Sequence, residues 1–149
     1  MATNKRLIHA TPDKVWRVLS DGWLYPVWVV GASRMREVDE TWPAVGSRLH
    51  HSVGVWPALV NDYTEARESE PRGRLVLRAR VWPYGEASVH IELSPADEGT
   101  AADGTEVTIH EKIEKGPTAY LPGPLEGLGM KWRNSETLRR LAFIAERSR

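Results

Sequence analysis

The chain has 149 residues, no cysteine, and 20 Lys and Arg against 20 Asp and Glu. This length suits a single domain over residues 1–149, and the lack of thiols excludes disulfides, cysteine nucleophiles and cysteine-type metal sites. The balanced charge argues against nucleic acid as a partner, and no apolar run approaches the roughly 20 residues that span a bilayer. Residues 1–10 do not have the pattern of a signal peptide, so we expect a cytoplasmic protein without a membrane segment.

The predicted elements begin with a short edge strand at residues 3–9, followed by a helix that starts at Thr11-Pro12-Asp13. A hydroxyl N-cap, a proline at the first helical position and an acid in the first turn are all signals of a helix start. Asp21-Gly22 ends this helix, and a second short helix or turn covers residues 23–29. Alternating apolar residues separated by turn residues then predict strands at 33–39, 47–54, 59–68, 73–81, 85–93 and 105–114.

Residues 124–147 are predicted to form one long amphipathic helix. A helix of about 24 residues is roughly 36 Å long, which is enough to cover a whole sheet. Its apolar stripe places Trp132 in the core, where this side chain could also contact a ligand. The stripe, with spacings of three and four, comprises Leu125, Leu128, Trp132, Ser135, Leu138, Leu141, Ala142 and Ala145.

The order of elements is that of the α+β helix-grip fold: one strand, two short helices, six antiparallel strands and a long C-terminal helix. Particular segments carry a family resemblance: residues 10–21 (ATPDKVWRVLSD), residues 28–32 (WVVGA), Glu70-Pro71 before residues 72–77, Gly104-Thr105, and the final helix. In these segments the chain resembles the SRPBCC superfamily of START-like and birch-allergen-like proteins, specifically its polyketide cyclase/dehydratase-like members. The resemblance implies a curved antiparallel sheet of about seven strands wrapped around the long helix, with a ligand cavity between them. It does not choose among the activities of the superfamily, which include lipid carriage and aromatase/cyclase chemistry.

The register of two neighbouring strands can be predicted from their apolar residues, which lie at odd positions in both 73–81 and 85–93. Partners on one face must then sum to an even number. A three-residue loop also sets opposite charges against each other on the other face, which supports this register. The predicted pairs are Leu75 with Ile91, Leu77 with Val89, Ala79 with Ala87, Arg74 with Glu92 and Arg80 with Glu86.

Extending the pairing across the sheet predicts one row on the inner face. It assumes that Leu93 pairs with Thr105, Glu68 with Gly73 and His51 with Asp62. Polar groups at the ends of this row and two small residues at its centre favour a roomy apolar cavity. The row contains His51, Asp62, Ala79, Ala87 and Glu111, and further expected ligand-binding residues are Leu49, Leu77, Val89, Ile109, Leu128 and Trp132.

Two groups in this row are candidates for chemistry. Glu111 interrupts an apolar alternation, so it could act as a general acid or base or hold a ligand hydroxyl, unless a buried arginine or another donor compensates it. His51 with Asp62 is either an imidazole oriented by a carboxylate or an ordinary cross-strand hydrogen bond. The remaining strand histidines, His50, His90 and His110, fall on the outer, solvated face. No spacing predicts a metal site, and we expect no cofactor.

Three functions remain open at this point. The first is binding of a small hydrophobic molecule, lipid-, steroid- or polyketide-like, between the sheet and the C-terminal helix. The second is a polyketide cyclase/dehydratase-type enzyme in which Glu111, or His51 with Asp62, transfers a proton. The third is a protein-interaction domain whose core is filled by its seven tryptophans. Aromatic residues at predicted hairpin tips (Trp56, Trp82 and Tyr84) also leave a homodimer open.

Overall fold

The computed structural model describes residues 2–30, 32–53, 60–81, 85–96, 104–115 and 123–148, with backbone only at 33, 53, 60, 81, 115 and 123–128. The predicted hairpin tips at Trp56, Trp82 and Tyr84, and the side chain of Leu128, lie outside the described part. The elements within these ranges are β1 (Ala2–Ile8), α1 (Pro12–Ser20), a 3-10 turn (Gly22–Leu24), α2 (Tyr25–Trp28), β2 (Ala32–Val38), β3 (Arg48–Val53), β4 (Val60–Glu70), β5 (Arg74–Val81), β6 (Gly85–Pro95), β7 (Thr105–Lys115) and α3 (Gly123–Arg147).

Local signals account for the start of α1. The Thr11 hydroxyl accepts a hydrogen bond from the Lys14 backbone N–H at 3.3 Å, which satisfies one of the free donors of the first turn. Pro12 occupies the first helical position, where its missing N–H has no cost. The inward face of α1 buries Val15, Val18 and Leu19. The helix start predicted from the sequence is therefore confirmed.

The strands form one curved antiparallel sheet in the order β1-β7-β6-β5-β4-β3-β2. The long helix α3 contacts β1, β7, α1 and α2, so the core lies between the helices and the inner face of the sheet. The predicted α+β helix-grip fold is confirmed. No helix in the described ranges is long and apolar enough to cross a bilayer. Fully buried core side chains come from most of the strands and include Ile8, Leu49, Leu75, Ile91 and Ile109.

Two predicted registers are confirmed. Strand β3 pairs with β4 so that His51 lies opposite Asp62. Strand β5 pairs with β6 at every predicted position, including the opposite charges Arg74 with Glu92. Alternation and charge pairing were therefore sufficient where a short hairpin joins two strands of matched pattern.

Two other predicted registers are wrong, each by two residues in the row of Glu111 and Ala79. Nearer the turn between β4 and β5 the error is three residues, since Glu68 lies opposite Val76 instead of Gly73. Glu111 lies opposite Val89 instead of Ala87, and Ala79 lies opposite Thr64 instead of Asp62. A shift of two keeps every side chain on its predicted face but moves it to another row, because side chains alternate with a period of two. Between β4 and β5 the physical cause is a tight turn, in which the Gly73 N–H donates to Glu70 O at 2.9 Å, together with an irregularity within β4.

The orientation of α3 corrects the predicted stripe. Trp132, expected in the core, is 69% exposed, and Ser135 is exposed as well. The inward face carries polar residues in its first half, which a search for apolar spacing overlooks. Among the described side chains of α3, at residues 129–147, the buried ones are Met130, Asn134, Thr137, Leu138, Leu141, Ala142 and Ala145.

This orientation predicts a large difference between two substitutions on α3. Leu138→Ala should lower the free energy of unfolding by about 2–5 kcal/mol, because it removes buried methyl groups and leaves a cavity. Trp132→Ala should change it by less than about 0.5 kcal/mol, because the indole is mostly in solvent. Urea unfolding of both variants measures the two values. A larger loss for Trp132→Ala would contradict the observed orientation of α3.

Candidate ligand cavity

A cavity of about 120 Å³ lies between the inner face of the sheet and the helices α2 and α3. Its floor is apolar and comes from the central strands β5 and β6 and the neighbouring β7. Two polar flanks stand on either side of this floor, one on β3, β4 and α2 and the other on β7 and α3. The floor residues are Leu77, Ala79, Val89, Ile91 and Ile109.

The first polar flank is a hydrogen-bonded chain of three buried side chains, which we call the histidine flank: Tyr25, His51 and Thr64. His51 Nε2 lies 2.8 Å from Thr64 Oγ1, and this hydroxyl lies 3.2 Å from the Tyr25 OH. The imidazole also stacks on the Tyr25 ring, with centroids 5.6 Å apart. Each ring is thus held both by packing and by hydrogen bonding to Thr64.

Burial sets the charge state of the histidine flank. Burial is the largest cause and lowers the pKa of His51 to about 4. The nearby side chains of Arg36 and His50 also lower this pKa, whereas Asp62 raises it. His51 is therefore neutral at pH 7, with one ring nitrogen as donor and the other as acceptor. Burial also raises the pKa of the Tyr25 hydroxyl, which keeps its proton.

The predicted hydrogen bond between His51 and Asp62 is replaced by the bond to Thr64. Asp62 is the cross-strand neighbour of His51, but its Oδ1 accepts from the Tyr63 N–H at 2.8 Å and lies 3.8 Å from Arg80 Nε. Sequence reasoning missed Thr64, although it lies two residues beyond Asp62 on the same face. It also missed Tyr25, because this residue lies on the short helix α2 and the alternation of the strands carries no information about its position.

The second polar flank, which we call the glutamate flank, consists of Glu111 on β7 with Arg133 and Asn134 on α3. Glu111 is only 2% exposed, and Arg133 Nη2 donates a charge-assisted hydrogen bond to its Oε1. A buried arginine partner was one of the two interpretations of Glu111 that the sequence left open. The ion pair ties α3 to the inner face of the sheet at the edge of the cavity.

Four residues that line the cavity carry a buried polar atom without a hydrogen-bond partner among the described residues. Two of the atoms are N–H donors, one is a carboxylate oxygen and one is an imidazole nitrogen. A buried polar group without a partner costs about 1–3 kcal/mol, so such atoms are rare and need an explanation. Of the eight such side-chain atoms among the described residues, four belong to residues that line this cavity: Trp28 Nε1, His51 Nδ1, Glu111 Oε2 and Asn134 Nδ2.

The structure brings six of the predicted site residues to this cavity: His51, Leu77, Ala79, Val89, Ile109 and Glu111. Others lie elsewhere. Leu49 is fully buried in the core, and Asp62 and Ala87 are close neighbours of lining residues but are not among the described lining residues. Trp132 is exposed. The role of each residue in binding or catalysis stays a prediction.

The sequence predicted that the three outer-face histidines are solvated. In the structure, each of them also contacts a neighbouring side chain. All three are only half-buried, and each ring makes at least one side-chain contact. Among the described residues, no group of three His, Asp or Glu side chains is arranged to hold a metal ion. The contacts are His50 with Asp39 at 3.1 Å, His90 with Ser88 at 3.2 Å and His110 with Thr3 at 2.9 Å.

A long helix gripped by a curved antiparallel sheet, with a cavity between them, defines a helix-grip domain of the kind that supports ligand binding. Residues 2–146 match the family described as "Polyketide cyclase / dehydrase and lipid transport". The chain belongs to this family, and its resemblance to the SRPBCC superfamily is confirmed. No protein with a curated description matches the chain.

Solved structures with the same fold come from several sources. Protein MLL2253 from Mesorhizobium loti has a TM-score of 0.70 at 20% identity, covering 99% of this chain and 97% of that one. A Rhodobacter sphaeroides protein has a TM-score of 0.69 at 23% identity, with coverages of 95% and 89%. Ara h 8.0201 has a TM-score of 0.66 at 14% identity, with coverages of 96% and 95%. At these identities the likeness concerns the fold alone.

Proposed function

We propose that this protein binds a small molecule with a largely apolar body and a few hydrogen-bonding groups in the cavity between the sheet and α3. The observation that carries the proposal is the set of four buried, unpartnered polar atoms around an apolar floor. An apolar pocket with a few convergent polar groups is typical of a small-molecule site. The family description, which includes both cyclase chemistry and lipid transport, supports the same role.

The size of the cavity limits the ligand. An apolar protein cavity of about 150 Å³ accepts benzene, so a cavity of about 120 Å³ suits one ring or a molecule of similar volume. A steroid or a multi-ring polyketide would need a wider cavity than this. We therefore take single-ring compounds as the probes for a first test.

Phenol is a suitable first probe, titrated into the protein and followed by amide NMR. We expect saturable shifts at residues of the floor and flanks. Ala79→Leu should abolish them, because three added carbon atoms at a lining position occupy the space of the ring. The matched control is Ala44→Leu, at an exposed alanine between β2 and β3 and outside the described lining, which should keep binding. Absence of any saturable shift in the wild-type protein, or unchanged binding in Ala79→Leu, would refute the proposal.

Proton transfer is a second candidate function, and the histidine flank favours it. A neutral imidazole could accept a proton from one atom of a bound substrate and return it as the imidazolium to another atom of the same substrate, while the hydrogen bond to Thr64 holds the ring in place. Glu111 is less suited to this role because Arg133 already occupies one of its oxygens. For an enzyme, His51→Gln should abolish turnover and keep binding, whereas a binding protein has no turnover to lose.

The filled-core interaction domain is disfavoured by two observations. A cavity remains beneath α3, and two of the tryptophans expected to fill it, Trp23 and Trp132, are exposed. Buried Trp28 lines the cavity without closing it.

A further inference from the structure

We propose that the natural ligand is a neutral, hydroxylated molecule of single-ring size, with one hydroxyl at the glutamate flank and a second at the histidine flank. This inference rests on the proposed function, since it names the chemical class that the same cavity selects. It depends on which atoms of each flank donate and which accept hydrogen bonds.

The glutamate flank requires a group that both donates and accepts. Glu111 Oε2 is an unpartnered carboxylate oxygen, so its partner must donate. Asn134 Nδ2, on the α3 residue that follows the arginine bonded to Glu111, is an unpartnered N–H donor, so its partner must accept. A hydroxyl can do both, whereas a ligand carboxylate cannot donate and an ammonium cannot accept.

The same flank disfavours charged ligands. Glu111 and Arg133 already neutralise each other. A charged group on the ligand would therefore be buried without an opposite charge to pair with. Burying such a charge is costly. A neutral ligand avoids this cost and still satisfies the free oxygen of Glu111.

The histidine flank offers a second mixed set. Trp28 adjoins this flank, because its ring packs edge-on against Tyr25 with centroids 5.4 Å apart. His51 Nδ1 and Trp28 Nε1 are both buried and lack partners within the described ranges. The indole N–H can only donate, so its partner must accept. The hydroxyls of Tyr25 and Thr64 are bonded to each other and leave further donor or acceptor capacity beside the ligand. A second hydroxyl fits this set for the same reason as the first.

The two flanks lie on opposite sides of an apolar floor. Glu111 is on β7, and the histidine flank is on β3, β4 and α2. Strands β5 and β6 lie between these two flanks. The described lining residues of β5 and β6 are apolar, except for Arg80 near the end of β5. Arg80 is engaged outside the floor, where it donates to the Tyr63 OH at 2.9 Å. The polar groups of a ligand must therefore be separated by its apolar body, as hydroxyls on opposite sides of a ring are.

Four single-ring probes test this inference by calorimetry or NMR titration: benzene, phenol, hydroquinone (kept reduced) and benzoate. We expect each added hydroxyl to tighten binding by about fivefold, which corresponds to the usual net gain from one buried hydrogen bond. Benzoate should bind more weakly than phenol. Equal affinities for benzene, phenol and hydroquinone, or tighter binding of benzoate than of phenol, would overturn the inference.

Variants of each flank add a second test. Glu111→Gln should reduce the preference for phenol over benzene, and Thr64→Val should reduce the preference for hydroquinone over phenol. Benzene itself should bind all variants alike. The matched controls are Glu136→Gln, at an ion-paired carboxylate on the other side of α3, and Thr108→Val, at a buried threonine of β7 outside the described lining. Both controls should keep the wild-type preferences, and loss of preference in the controls would also overturn the inference.

The outcomes separate this inference from the proposed function. Binding of all uncharged probes with equal affinity, abolished by Ala79→Leu, would leave a ligand cavity without hydroxyl selection, so only the inference would fail. No binding of any probe would refute both. Because the probe series uses the wild-type protein, the test stands even if a flank variant fails to fold.

Discussion

Arg133→Met is expected to lower the free energy of unfolding by about 3 kcal/mol, although Arg133 lies on a helix surface and is 37% exposed in its side chain. The loss comes from Glu111, which is almost fully buried and would be left without the hydrogen bond that Arg133 donates. Removing one partner of a buried ion pair is far more damaging than removing an exposed one. Urea unfolding at pH 7 measures the difference.

A double substitution separates the ion pair from simple packing. Glu111→Leu combined with Arg133→Met removes both charges, so we expect its stability to return to within about 1 kcal/mol of the wild-type value. The matched control is Arg140→Met on the same helix, whose partner Glu136 keeps its ion pair with Arg139, and it should cost less than about 1 kcal/mol. Equal losses for Arg133→Met and Arg140→Met would show that Glu111 does not depend on its partner.

The second large effect is a loss of stability on acidification. His51 has a pKa of about 4 in the folded protein, against about 6.5 in the unfolded chain. As the pH falls from 7.5 through 6.5, the unfolded chain takes up a proton that the folded protein does not, so the stability contributed by neutral His51 is lost progressively until about pH 4. A pKa difference of this size corresponds to about 3 kcal/mol.

His51→Gln isolates this contribution, because glutamine does not titrate. The difference in unfolding free energy between the wild-type protein and the variant should shrink by about 3 kcal/mol between pH 7.5 and pH 4. Val45→Ala, at an exposed side chain that does not titrate, is the control and should leave the pH dependence of the unfolding free energy unchanged. A constant difference between wild type and His51→Gln across this range would contradict the burial of a neutral imidazole.

Much of the fold follows from local signals in the sequence. The Thr11-Pro12-Asp13 cap, the alternation of the strands and the length of the final apolar pattern each depend on residues close together in the chain. Local physics also determines which side of the sheet a residue faces, because side chains alternate strictly along a strand. Glu111 was therefore predicted to face inward, and it does so in both the predicted and the observed register.

The row and the partner of each inward residue depend on longer-range features. A tight turn at Gly73 and an irregularity in β4 move Thr64 opposite Ala79, into the row of the cavity floor. The hydrogen bond between Thr64 and His51 follows instead from the pairing of β3 with β4, in which His51 lies opposite Asp62, two residues before Thr64. Local alternation is unchanged by a shift of two residues, so it could not have distinguished this register from the predicted one.

The sequence by itself determined the elements, their order and the faces of the strands, whereas the tertiary structure decided how α3 is rotated and which polar groups meet in the cavity. Trp132 is apolar and fits the helical spacing of the stripe, yet it lies in solvent. The helix is rotated so that Asn134 and Thr137, and not Trp132, face the cavity. Arg133 and Glu111 are 22 residues apart in sequence and come together only when the helix docks on the sheet. Burial and pairing of such groups depend on this docking, which no local pattern encodes.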